Sequence, residues 1–184
     1  MINLDNKKLE QGINAFNLLL SSKFLENIIE NKVDEFESKH TNVSKYLLST
    51  LLSELKNNFQ PVVKTYRPWN RWSKAYATTY TGNYNLIKIN SRRFNRPWYS
   101  LAGTVAHEWG HCFEYFTRKM YKTYKFNHGN NSSIGKDNTF QYWLGRQVKL
   151  ELMKYESYDD FFKAFYSGEY NGLNFNKPMS RSWL

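Results

Sequence analysis

The sequence predicts an α+β fold, mostly helical, with a small antiparallel sheet packed on one central helix. Three observations predict it. Apolar residues recur at helical spacing in four separate stretches, near 7–37, 43–59, 100–121 and 138–152. The block from 61 to 90 is instead rich in Tyr, Thr, Val and Ile and is punctuated by Thr81-Gly82-Asn83. The helix that follows this block carries Val105, Trp109, Cys112 and Phe116 as one apolar stripe. Gly103, His107, His111, Glu114 and Arg118 share its other face.

Taken in order, Leu9, Ile13, Phe16 and Leu20, then Leu25, Ile28, Ile29, Val33 and Phe36, line one face of a helical region over 7–37. Gly12 and the Ser21-Ser22 pair weaken it, and a break is expected near 22. A second helix is expected from 43 to 59, with Leu47, Leu51 and Leu55 in line and Thr41 or Asn42 as cap; Pro61 ends it. Residues 61–66, 75–80 and 84–89 read as strands, the last two joined as a hairpin. Ser91-Arg-Arg-Phe-Asn-Arg-Pro-Trp98 is a basic loop leading into the central helix, which should run to about Tyr121. A polar loop over 126–138 precedes another helix, capped by Asn138 or Thr139, with Phe140, Leu144, Val148 and Leu152 in line. Ser157-Tyr-Asp-Asp160 reads as the capping box of a short aromatic helix that ends near Gly168.

A chain of 184 residues suggests one domain over 1–184: a helical scaffold (1–60), a catalytic core (61–154) and a C-terminal extension (155–184). Aromatic residues make up 18% and let a small domain bury much area per residue. The single Cys112 excludes an internal disulfide and a Cys-based zinc cluster, and reads as a buried thiol. A net charge of +10 favours anionic partners such as DNA or a cell-wall polymer, through the basic-aromatic stretches 69–74, 92–98 and 118–125. For 118–125 the plainer reading is a solvated helix end, where cations suit the dipole. No apolar run approaches the roughly 20 residues of a membrane span, and the first eight residues have no signal-peptide core. The cytoplasm is therefore the expected compartment, with release by lysis or packaging into a particle compatible with the sequence.

The chemistry concentrates in Thr104-Val-Ala-His107-Glu108-Trp-Gly-His111. On a helix, His107 and His111 stack one turn apart and can share one metal ion, and Glu108 can reach a water on that ion. This is the His-Glu-x-x-His arrangement of zinc hydrolases, and Zn2+ is the expected metal. A catalytic zinc site takes three protein ligands and keeps one position open. His128, in the loop after the helix, is the favoured third ligand. Glu114 is the rival, as ligand or as the partner that holds an imidazole in place, and Asp137 is a more distant candidate; His40 lies far upstream. Glu108 would serve as general base. Tyr124, Tyr142 and Arg146 are candidate oxyanion donors by position. Gly103 and Thr104, being small, would leave room above the metal. The strand over 84–90 is placed to pair with an extended peptide substrate, and a purely structural strand is equally compatible with the sequence.

Asn85-Leu-Ile-Lys-Ile-Asn90, followed after about a dozen residues by Ala102-Gly-Thr-Val-Ala-His107-Glu108-Trp-Gly-His111, resembles the SprT-like zincin metallopeptidases. In that family a strand ending in Asn or Ser leads into the metal helix, and the third ligand is a His about fifteen residues past the second, often followed by Gly; here His128-Gly129 matches. The resemblance covers about residues 66–130. It implies a zincin-like fold, His107, His111 and His128 as zinc ligands, Glu108 as general base, and a protein or peptide substrate. The stretch 127–145 is similar to small bacteriophage-encoded metallopeptidases, which would extend the expected locations to host cytoplasm or virion. The family's DNA-linked members carry a Cys-rich zinc ribbon, which this sequence lacks. A zinc metallopeptidase is thus the leading expectation. A cell-wall amidase or endopeptidase, a virion-associated or structural zinc protein, and a nucleic-acid-binding protein are the alternatives.

Overall fold

One helix organises the structure. In the computed structural model, which describes residues 4–32, 35–38, 42–70, 75–80, 83–121, 126 and 138–170, helix α4 spans Trp98–Tyr121. Its expected stripe is buried at Val105, Trp109 and Cys112, and Phe116 packs at the margin. Burial extends further, to Leu101, Ala102, Ala106 and Phe113, because neighbours cover α4 on several sides. Helices α1 (Leu4–Ser21) and α5 (Phe140–Leu152) pack on it, and the sheet covers a third side.

Glycine permits both helix crossings. A Cβ on Gly12 of α1 would stand 2.9 Å from the Ala102 nitrogen and the Trp98 carbonyl oxygen, so the residue that weakens α1 as a helix is the one that lets it touch α4. Gly103 of α4 and Gly145 of α5 meet backbone to backbone: added Cβ atoms would lie 2.7 Å and 2.6 Å from the opposing carbonyl oxygens. Gly103 therefore seats α5, and the space expected above it is filled.

The sheet has three strands: β1 (Val62–Tyr66), β2 (Ala77–Tyr80) and β3 (Asn83–Asn90). The order is β1-β3-β2. β2 and β3 form the expected antiparallel hairpin, with an irregularity between Thr79 and Tyr80. β1 pairs with β3 in parallel, Val62 opposite Leu86 and Tyr66 opposite Asn90, so the sheet is mixed rather than antiparallel. The turn chemistry fixes only the hairpin; β1 reaches the far side of β3 by a longer connection. β3 is consequently the central strand. Both of its edges are taken, which overturns its expected role as a substrate-pairing strand. Ile87 and Ile89 alternate onto the core face and are fully buried.

Helix α2 (Phe24–Glu30) follows a break at Ser22 and Lys23. The helical region does not continue to 37. Asn31 ends it with its side chain donating to the Asn27 carbonyl, and Phe36 is buried as part of an antiparallel bridge with Val43. Helix α3 (Lys45–Leu55) starts two residues later than expected and is capped by Ser44, whose hydroxyl accepts from the Tyr46 N–H. Leu48, Leu51, Leu52 and Leu55 form its buried line. In α5, Phe140, Leu144, Val148 and Leu152 are all fully buried, as their spacing predicts. Helix α6 (Tyr158–Tyr166) begins with Ser157 accepting from the Asp160 N–H at 3.1 Å and donating to its carboxylate at 2.7 Å.

Aromatic rings fill the joints between these elements. Phe59 stacks on Phe116 at 4.9 Å between α3 and α4, and Trp109 stacks on Phe113 at 4.9 Å. Phe36 packs edge-on against Phe140 and Trp143 at the start of α5. Trp98 lies under α6 against Tyr158 and Phe161.

Candidate metal centre

Helix periodicity puts Thr104, His107, Glu108, His111 and Tyr115 within a single arc of α4. β2 borders this arc on the Glu108 side and α5 on the His107 side. Thr104, His107 and Tyr115 keep partial exposure, whereas Glu108 and His111 are 7% and 9% exposed.

The two imidazoles lie with ring centroids 5.0 Å apart at 77°. Zn–N bonds of about 2.0–2.1 Å at a tetrahedral angle would put the centroids of two liganding rings about 5 Å apart. The donor set and its spacing therefore fit a zinc ion. α5 packs against His107 from behind: the Tyr142 ring meets the His107 ring at 4.5 Å and 62°, and a Cβ on Gly145 would sit 3.1 Å from the His107 Cβ. Tyr115, one turn beyond His111, lies nearly parallel to its ring at 6.4 Å.

Glu108 points to the sheet side. Burial raises its carboxyl from 4.5 to about 7, and a hydrogen bond from the Thr79 side chain on β2 offsets part of that rise. Cys112 lies one turn on and is fully buried, with Sγ 3.9 Å from the Leu86 carbonyl. Burial, and secondarily Glu108, pushes this thiol up to about 12. It is an inert core residue, as the sequence indicates.

The candidates for third ligand separate. His128 lies outside the described residues, as do His40, Asp137 and Tyr124. Among the described residues, no group of three or more His, Cys, Asp or Glu converges as a metal site. Glu114 is fully buried in α4, its carboxylate 3.9 Å from Arg118. It is thus not a solvated carboxylate. Tyr142 lies against the His107 ring, and Arg146 lies on α5 one turn after it.

Sequence reasoning missed three contributors. Thr79 carried no signal, because an ordinary strand threonine becomes functional only through its tertiary contact. Gly145 is visible in sequence as a glycine inside a helix, which implies close packing. Arg96 belongs to the basic loop, but its position was not legible. Its Nη1 donates to Thr104 Oγ1 at 3.0 Å, and its guanidinium stacks over the Tyr76 ring at 4.4 Å. Asn90, the strand-ending residue of the motif, is fully buried. Its side chain donates to the Ala75 carbonyl at 2.8 Å and accepts from the Arg92 N–H at 3.0 Å, which fixes the segment entering β2.

The basic-aromatic stretches divide likewise. Residues 71–74 and 122–125 lie outside the described residues, while Trp69 is fully exposed. Trp98 is core, so it offers no ring to a polymer. At the end of α4, Lys119 donates to the Tyr84 hydroxyl at 3.2 Å and Tyr121 donates to Glu54 at 3.0 Å, contacts within the fold.

No family model, characterised protein or solved structure matches the chain. Among the described residues, no helix is long and apolar enough to cross a membrane.

Proposed function

We propose that the chain is a zincin-like zinc-dependent peptidase in which His107, His111 and His128 hold the metal and Glu108 is the general base. The observation that carries this reading is the pairing on one helical arc of two imidazoles 5.0 Å apart with a buried carboxylate whose pKa is raised to about 7. A zinc that only braces a fold needs no such carboxylate beside it. A general base works best when its pKa lies near the working pH. The resemblance of residues 66–130 to SprT-like metallopeptidases supports the same assignment.

When bound, zinc would polarise a water and the scissile carbonyl. Glu108 would take one proton from the water as its oxygen bonds to the scissile carbonyl carbon, and return it to the amide nitrogen as the C–N bond breaks. Thr79 holds the carboxylate in place by its hydrogen bond, so the base needs little reorganisation. β2, an edge strand of the sheet among the described residues and beside Glu108, is placed to pair with an extended peptide, the role that β3 cannot fill. Tyr142, against His107, is the best-placed described candidate to donate to a developing oxyanion. Titration of chelator-treated protein with zinc tests the metal assignment. The wild type should take up about one equivalent, and His107→Ala or His111→Ala should abolish tight uptake. Unchanged uptake in either variant would remove the assignment.

A further inference from the structure

The basic loop ahead of α4 contains an arginine whose environment the fold leaves incomplete. Arg96 is pinned on three sides. Nε donates to the Arg93 carbonyl at 2.8 Å, Nη1 donates to Thr104 Oγ1 at 3.0 Å, and the guanidinium plane lies over Tyr76 at 4.4 Å. The buried Nη2 has no partner. No carboxylate among the described residues pairs with Arg96. A second cation, Arg93, has its guanidinium over the same ring at 5.8 Å. Burial and Arg93 both work against the charge, so its pKa is lowered.

A partly buried guanidinium held rigid without a counter-charge is costly, and the cost is relieved by an anion that enters with a ligand. The planar fork of arginine suits a carboxylate. The position suits a substrate. Thr104 stands one turn before Glu108 on the same arc of α4, about 6 Å along the axis. An extended peptide covers that distance in about two residues. Arg96 as a residue is only partly buried, so a ligand approaches the edge of its guanidinium and reaches Nη2 once that atom is uncovered.

We infer that Arg96 is the substrate anchor of this site and that it selects peptides carrying a carboxylate within about two residues of the scissile bond. The inference rests on the peptidase reading above. The carboxylate has two sources, an acidic side chain or a free C-terminus, and the test separates them.

Cut sites in denatured casein are mapped by mass spectrometry with the zinc-loaded wild type. Capped peptides are then made around the strongest site in matched pairs. One set has Glu against Gln at each position within two residues of the bond; the other has a free C-terminus against a C-terminal amide. One set should show a preference for the carboxylate member of about tenfold or more in kcat/KM. Arg96→Gln should bring that ratio close to one, and Arg96→Lys, which keeps the charge but loses the fork, should leave an intermediate ratio. Equal kcat/KM within every wild-type pair, or an unchanged ratio in Arg96→Gln, would overturn the anchor while leaving the peptidase reading intact. If Arg96→Gln does not fold, the wild-type and Arg96→Lys ratios decide. If the wild type cleaves nothing, the peptidase reading falls, and the anchor is judged by calorimetry on the zinc-loaded protein with two probes, a capped Glu-containing octapeptide and a free-acid octapeptide. Tighter binding of either than of its Gln or amide partner, lost in Arg96→Gln, upholds it; equal binding overturns it.

Discussion

Gly145→Ala tests whether α5 sets the position of His107, the first proposed metal ligand. A Cβ at residue 145 would stand 2.6 Å from the Gly103 carbonyl oxygen and 3.1 Å from the His107 Cβ. Ordinary contact begins at 3.4 Å, so α4 and α5 must part by about 0.8 Å at their crossing. A gap of that size forfeits about a quarter to a half of the attraction of each atom pair across it. Overpacking of this kind costs about 1–3 kcal/mol. Helix propensity works the other way, since Ala is favoured over Gly by about 0.8–1.0 kcal/mol in a helix interior. The expected net effect is a loss of about 0–2 kcal/mol, read by urea unfolding of the metal-free protein. Because the new methyl also presses on His107, zinc affinity should fall about tenfold, as it does when the surroundings of a ligand are disturbed. A chelator competition titration measures this. The sign decides the matter. If the helices were loosely packed, Ala would stabilise the protein by propensity alone. A variant more stable than the wild type, with unchanged zinc affinity, would refute the account of the crossing.

Three further outcomes are expected. His128→Ala should lose most zinc binding in the same competition titration, and full retention would exclude it as third ligand. In metal-free protein, the folded state holds the Glu108 proton more tightly than the unfolded chain does, because burial raises its pKa from 4.5 to about 7. The stability this provides is complete below the ordinary carboxylate range and is lost as pH rises through about 7. The wild type should therefore lose about 2–3 kcal/mol relative to Glu108→Gln between about pH 5 and pH 8; a constant difference in urea unfolding would contradict the burial of the charge. Ser157→Ala removes the cap of α6, both the bond from the Asp160 N–H and the bond to its carboxylate. It should cost about 1 kcal/mol in the same assay.

What the sequence made legible was local. The spacing of Phe140, Leu144, Val148 and Leu152 specifies α5 and its buried face, and Ser157 with Asp160 marks the start of α6. His107, Glu108 and His111 fall on one arc because 3.6 residues make a turn. What stayed hidden depends on contacts between distant segments. Phe36 extends the apolar pattern of α2, but its burial is achieved in a bridge to Val43, and periodicity cannot separate the two. The parallel pairing of β1 with β3 has no turn signal, because β2 stands between the two strands in sequence and no hairpin joins them. Gly103 reads as open space until Gly145 is seen against it. Thr79 and Arg96 have no local signature at all; they become part of the site only when β2 and the loop before α4 close over Thr104 and Glu108.

The central claim is that Glu108 activates water beside a metal held by His107 and His111. It is tested most directly by loading chelator-treated wild type and Glu108→Gln with zinc and counting the new amines each releases from denatured casein and from peptidoglycan. The account predicts that both proteins retain about one zinc, that the wild type releases amines from casein only when zinc is present, and that Glu108→Gln releases none above background. Release from peptidoglycan alone would move the substrate to the cell wall while keeping the chemistry. Equal products from wild type and Glu108→Gln on both substrates would contradict the claim.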